Sequence, residues 1–111
     1  MDLNFEKKGQ NLIIFISGEM DHHSLAEVRE SIDNEFLRSN SKNIIFDFSG
    51  VDFVDSSGVG MLIGRYRMVS ELGGKTALTG ICGSVDRVFN ISGVYRIMKK
   101  YANKEDAARN L

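Results

Sequence analysis

The stretch NIIFDFS, Asn43 to Ser49, carries apolar side chains at Ile44, Ile45, Phe46 and Phe48. Successive side chains of a strand point to opposite faces, so a nearly unbroken apolar run needs cover on both. Such a strand belongs in the middle of a sheet. The flanking sequence supplies the cover. On the C-terminal side, Val59, Leu62, Ile63, Tyr66 and Val69 recur at helical spacing after Asp55, and Gly73-Gly74 offers a left-handed stop. On the N-terminal side, DHHSLAEVRESIDNEFLR places Leu25, Val28, Ile32 and Phe36 on one helical stripe. Asp21 is the expected N-cap of that helix, because its short side-chain oxygen accepts a free first-turn N–H.

The rest of the chain continues the alternation. LNFEKKGQNLIIFISG predicts a hairpin turning near Gly9, its second strand the β-branched run Leu12 to Ser17. KTALTGI predicts another strand. SVDRVFNISG predicts a short helix with Val85, Val88 and Phe89 inward, closed by Gly93. YRIMKKY predicts an edge strand and KEDAARNL a terminal helix. The class is α/β, with a mixed, mostly parallel sheet of four to five strands, about four helices and right-handed crossovers. One domain over residues 1–111 is expected from the length. A chain of this size buries roughly two thirds of its unfolded surface, enough for one core without staples.

Charge and cysteine content exclude several functions. Fourteen basic and fifteen acidic residues leave a net charge of -1, with no field to draw the chain onto nucleic acid or an anionic membrane. Cys82 is the only cysteine, so no internal disulfide forms and a reducing cytoplasm is the expected compartment. No apolar run reaches the ~20 residues of a membrane span. The opening MDLNFEKKGQ lacks the apolar core of a secretion signal.

In parallel α/β sheets, sites form where strands end and helices begin. Two junctions stand out: GEMDHHS, Gly18 to Ser24, and VDSSGVG, Val54 to Gly60. At the second, Ser56 is the expected helix N-cap, with Gly58 and Gly60 permitting close packing. One serine suffices as a cap, which leaves Ser57 unexplained. A nucleophilic serine is poorly supported, because Val54 and Asp55 stand where a G-x-S-x-G elbow needs glycine. A phosphate-binding loop lacks both its lysine and its glycine spacing. A phosphorylation switch fits the same residues. An exposed serine at a helix N-terminus is accessible to a kinase, and its phosphate is tolerated at the positive end of the helix dipole.

FDFSGVDFVDSSGVGMLIGRY resembles the signature of the anti-anti-sigma factors of the STAS-domain family. ISGEMDHHSLAEVRESI, GGKTALTGI and SVDRVFNISGVYRIMKKY extend the resemblance over almost the whole chain. DHH and GRY are most similar to the sporulation branch, whereas general-stress members share the D-S-[ST]-G core. The resemblance implies β/α turns wound as a short superhelix. It implies an anti-sigma factor antagonist, monomeric when free, that uses no catalytic residue, cofactor or metal of its own. Its partners are a kinase anti-sigma factor, which the unphosphorylated form binds so that a sigma factor is released, and a serine phosphatase that resets the cycle. The phosphoacceptor maps to Ser56. Asp21, His22, Asp55, Ser57, Gly58 and Gly60 join it on the implied partner surface. A STAS scaffold or regulatory subunit of a stress complex or transporter is the alternative.

Other residues have simpler readings. His22 and His23 read as solvent-facing residues of the first helical turn, since adjacent helical positions point about 100° apart and chelate poorly. Arg65 and Arg67 read as a solvated helix face, with contact to an acidic partner open to either one, and Cys82 reads as a small buried hydrophobe.

Overall fold

The computed structural model describes residues 1–23 and 25–111. Ser24, the end of the first junction, lies outside the described residues. Five strands and four helices alternate: β1 Asp2–Lys8, β2 Asn11–Met20, α1 Leu25–Arg38, β3 Asn43–Val54, α2 Ser56–Glu71, β4 Thr76–Thr79, α3 Gly83–Ser92, β5 Lys99–Tyr101 and α4 Lys104–Arg109. One sheet holds all five strands in sequential order, with β3 at its centre. β1 and β2 form the antiparallel hairpin, turning at Gly9 with φ +60°, and every other pairing is parallel. The winding advances one strand per β/α step, as the superhelical expectation requires.

The two faces of the sheet are covered unequally. Leu12, Ile14 and Ile16 of β2 and Ile44, Phe46 and Phe48 of β3 point to one face, beneath the apolar stripes of α1, α2 and α3. Ile13, Ile45 and Ala77 point to the other, under Ala107 of α4. Phe48 meets Phe89 of α3 edge to face, 5.2 Å between ring centres. Burying one such ring stabilises the fold by about 2–3 kcal/mol. The helix stops act as the spacing predicts: Gly73 and Gly93 both take positive φ.

Three details depart from the sequence reading. Both central strands run past the ends read from the sequence, β2 beyond Ser17 to Met20 and β3 beyond Ser49 to Val54. The ladder survives through shifts in register between Phe15 and Ser17 and between Gly18 and Glu19. A side chain at Gly50 would put its Cβ 2.7 Å from that of Ser17, so glycine there permits the close pairing. YRIMKKY is only partly strand, because Val94–Arg96 form a 3₁₀ turn before the short edge strand β5. Cys82 is exposed rather than buried, because it lies beyond the end of β4 at the N-cap position of α3.

Candidate functional site at the β2 and β3 ends

Parallel pairing brings the two junctions together. Met20 is opposite Val54 at the ends of β2 and β3, and the Asp55 N–H donates to the Met20 carbonyl at 3.2 Å. Both loops therefore leave the sheet side by side on one rim, as consecutive strands in this architecture require.

The cap of α2 is Asp55, not Ser56. Asp55 has extended backbone angles, and its Oδ1 accepts from the Gly58 N–H at 3.0 Å. Its backbone carbonyl accepts the Val59 N–H at 3.1 Å. Ser56 and Ser57 then occupy the first two helical positions, where both are exposed. Among the described residues neither hydroxyl engages in a side-chain hydrogen bond. The aspartate takes over the capping that the sequence assigned to serine, and it frees Ser56. Gly58 performs the packing expected of it: a Cβ there would lie 2.8 Å from the Met20 carbonyl oxygen. Gly60 does not, since nothing lies within 4 Å of its added Cβ.

Successive helical residues diverge by about 100°, so the two serines face different surroundings. Ser56 lines a groove of ≈ 360 Å³ with Val54, Asp55, Val59, Val88, Ile91 and Ser92. Ile91 is 81% exposed, a large apolar side chain left in water beside the serine. Ser57 lines a second cleft, between α1 and α2.

The first junction also differs from its reading. α1 begins at Leu25, four residues beyond Asp21. Asp21 Oδ1 accepts the His23 N–H at 3.1 Å, so this carboxylate caps the turn ahead of the helix. His22 and His23 lie in that turn, outside the helix, with ring centres 4.2 Å apart. Both are exposed, and His22 Nδ1 stands 4.0 Å from Asp55 Oδ2. Among the described residues no cluster of three or more His, Cys, Asp or Glu is disposed to hold a metal ion. Asp21→Asn keeps the turn-capping oxygen and removes the charge. It is expected to leave the unfolding midpoint unchanged while weakening partner binding about threefold to tenfold, the usual scale for one charge at an interface rim. Titration of the kinase anti-sigma factor that the sequence resemblance implies, against both proteins, measures this. Full affinity in both Asp21→Asn and Asp21→Ala would confine Asp21 to the turn.

Arg65 is the residue the sequence reading misplaced. It is 8% exposed, and its Nε lies 2.8 Å from Asp33 Oδ1 of α1. The N–H does not point along that contact, so the pair is coulombic and neither atom is hydrogen-bonded. Nη1 reaches the Met61 carbonyl only at 3.5 Å. Burial pushes the guanidinium down from its ordinary value, Asp33 opposes that, and Arg29 adds to it. A signal was present: Met61, Arg65 and Val69 recur at four-residue spacing, so the buried stripe of α2 runs through the arginine. Arg67, by contrast, is exposed as expected.

Comparison with known proteins identifies the family. A family model described as STAS domain matches residues 2–107. The anti-sigma F factor antagonist of Paenibacillus polymyxa is 35% identical over 100 residues, 90% of this chain and 86% of that protein. The structure of the anti-sigma factor antagonist SpoIIAA in its unphosphorylated form is 30% identical and superposes with a TM-score of 0.82, covering 99% of this chain and 98% of that one. The structure of the Bacillus cell fate determinant SpoIIAA in the phosphorylated form is 29% identical, with a TM-score of 0.74 over 99% of this chain and 100% of that one.

Proposed function

The chain belongs to the STAS-domain family, and on that premise we propose that it is an anti-sigma factor antagonist switched by phosphorylation of Ser56. The unphosphorylated form binds a kinase anti-sigma factor across the rim carrying Asp21, His22, Asp55, Ser56, Ser57, Gly58 and Gly60, and the kinase gives up its sigma factor. The kinase then transfers the γ-phosphoryl group of ATP. The Ser56 Oγ–H proton goes to a base of the kinase, a bond forms from Oγ to phosphorus, the bond to the β-phosphate oxygen breaks, and ADP leaves. A serine phosphatase hydrolyses the ester and resets the cycle. The chain acts by binding and supplies the acceptor hydroxyl, and sporulation-specific transcription is the process it controls.

The observation that carries this reading is the division of labour between Asp55 and Ser56. Asp55 satisfies the helix end, so the neighbouring hydroxyl is exposed and uncommitted. A phosphate of charge about -2 on Ser56 then faces the open N-terminus of α2 without disturbing the cap. It also stands at the lip of the Val59–Val88–Ile91 groove. A partner packed there has to desolvate a dianion, which costs far more than it returns unless the partner supplies matching cations. Association is lost while the fold persists. That SpoIIAA in both its forms superposes on this chain supports a fold indifferent to the modification.

Incubation with the cognate kinase anti-sigma factor and ATP is expected to add one phosphate, located on Ser56 by mass spectrometry. Stoichiometric phosphate on Ser57 with none on Ser56 would overturn the assignment.

No helix among the described residues is long and apolar enough to cross a membrane.

A further inference from the structure

We propose that the cleft between α1 and α2 is an anion site that seats a carboxylate side chain of the partner kinase, held by Arg29 and Arg65. This rests on the switch reading above and gives the second serine its role. The cleft measures ≈ 380 Å³, and His22, Arg29, Ser57, Gly60, Gly64 and Arg65 are among its lining residues. Among the described residues it is lined by two guanidiniums and no carboxylate.

Arg65 is the built part of the site. Its side chain is 10% exposed, and its contact with Asp33 is misaligned. Its Nε is enclosed against Asp33, while its Nη1 reaches the Met61 carbonyl only at 3.5 Å. The guanidinium end at the wall of the cleft is thus weakly engaged, and an acceptor entering there meets a donor with capacity to spare. Arg29 is exposed at the cleft and has no ion pair among the described residues. Gly60 and Gly64 are open, with nothing within 4 Å of an added Cβ. Each sits inside a helix, where glycine costs about 0.5–1 kcal/mol relative to alanine. Packing does not require them; side chains at both positions would project into the cleft. The exposed Ser57 hydroxyl is available at the cleft's edge as a further donor.

The charge count selects the occupant. Asp33 balances Arg65, and Arg29 has no ion pair among the described residues, so the two guanidiniums leave a single positive charge in excess. A monoanion with two coplanar oxygens matches that excess and the guanidinium fork. A phosphate dianion would be repelled by Asp33. One free carboxylate at an open cleft gains too little to hold it from water, whereas a side chain delivered by a docked protein has already lost its freedom of motion. The cleft opens on Ser57, beside the serine that the kinase must reach.

The test is the Kd of the complex between the full chain and the ADP-loaded kinase, with melting temperatures as the folding control. Arg29→Gln is expected to weaken binding about tenfold and to flatten its salt dependence, Arg29→Lys to weaken it less, and Arg29→Glu to weaken it at least about fiftyfold. Arg29→Gln binding within about twofold of wild type would overturn the proposal and leave the Ser56 switch standing. In a second arm, inorganic phosphate is titrated into the free chain and the Ser57, Gly60 and Gly64 amide signals are followed. Millimolar or weaker binding fits the proposal. Saturation well below a millimolar would assign the cleft to free phosphate and overturn it. If wild type is neither bound nor phosphorylated, the switch falls and this contact with it.

Discussion

Ser56→Ala is expected to take up no phosphate at all from ATP and the kinase, yet to bind that kinase as wild type does. Its stability is expected to stay within about 0.5 kcal/mol of wild type, the usual range for a surface change that breaks no cap. The prediction follows from the identity of the cap. Were Ser56 the N-cap, its removal would cost about 1 kcal/mol. Because Asp55 holds the Gly58 N–H, that cost belongs to Asp55→Ala instead. Ser56→Asp completes the set. An acid at the first helical position favours the fold, and the same charge at the lip of the apolar groove opposes docking. Kinase affinity is expected to fall at least tenfold, or about 1.4 kcal/mol, with the melting temperature nearly unchanged. Urea unfolding and calorimetric titration of the three variants separate the two effects. Normal binding by Ser56→Asp would remove charge at this position as the switch. A stability loss in Ser56→Ala equal to that in Asp55→Ala would return the cap to the serine.

The sequence made the fold legible because its signals are local and agree. The apolar run at Ile44–Phe46 demanded a central strand, the stripes in α1, α2 and α3 demanded one covered face, and Gly73 and Gly93 marked helix ends. The strand lengths were less legible. Glycine ends a strand in isolation, but here Gly50 pairs with Ser17 and Gly18 with Val51, and shifts in register carry the ladder through. The junction at Asp55–Ser56–Ser57 stood out from the residues alone. Which residue caps did not, because aspartate and serine are equally good caps. The choice was made by β3, which runs to Val54 and ties the Asp55 N–H to Met20. The same holds for Asp21: its carboxylate accepts the His23 N–H of the turn, because α1 starts only at Leu25. Arg65 was misread for a related reason. A long cation on a helix is ordinarily solvated, and only the packing of α1 against α2 encloses this one.

That enclosure leads to the largest expected loss of stability. Asp33→Ala is expected to destabilise the chain by about 2–3 kcal/mol, measured by urea unfolding. Removing the carboxylate leaves a guanidinium that is nine-tenths buried without a counter-charge, and its remaining bond to the Met61 carbonyl is long. The figure falls below the 3–5 kcal/mol typical of a broken buried pair, roughly because Asp33 is itself 30% exposed and water can enter as it leaves. Asp33→Asn keeps an oxygen near Nε and loses the charge, so its cost should be intermediate. The informative variant is the double one, Asp33→Ala with Arg65→Met. It exchanges a misaligned ion pair for an apolar side chain among Leu25, Met61 and Gly64, and it is expected to recover most of the loss. Non-additivity of that size marks two residues that act as one unit. If Asp33→Ala instead unfolds at the wild-type urea concentration, Arg65 finds its solvent elsewhere and the pair holds nothing. If the double variant is as unstable as Asp33→Ala alone, the aspartate stabilises α1 by itself. Recovery of stability in the double variant, with kinase binding still impaired, would separate the two uses of Arg65: the fold can spare it, and the cleft beside Ser57 cannot.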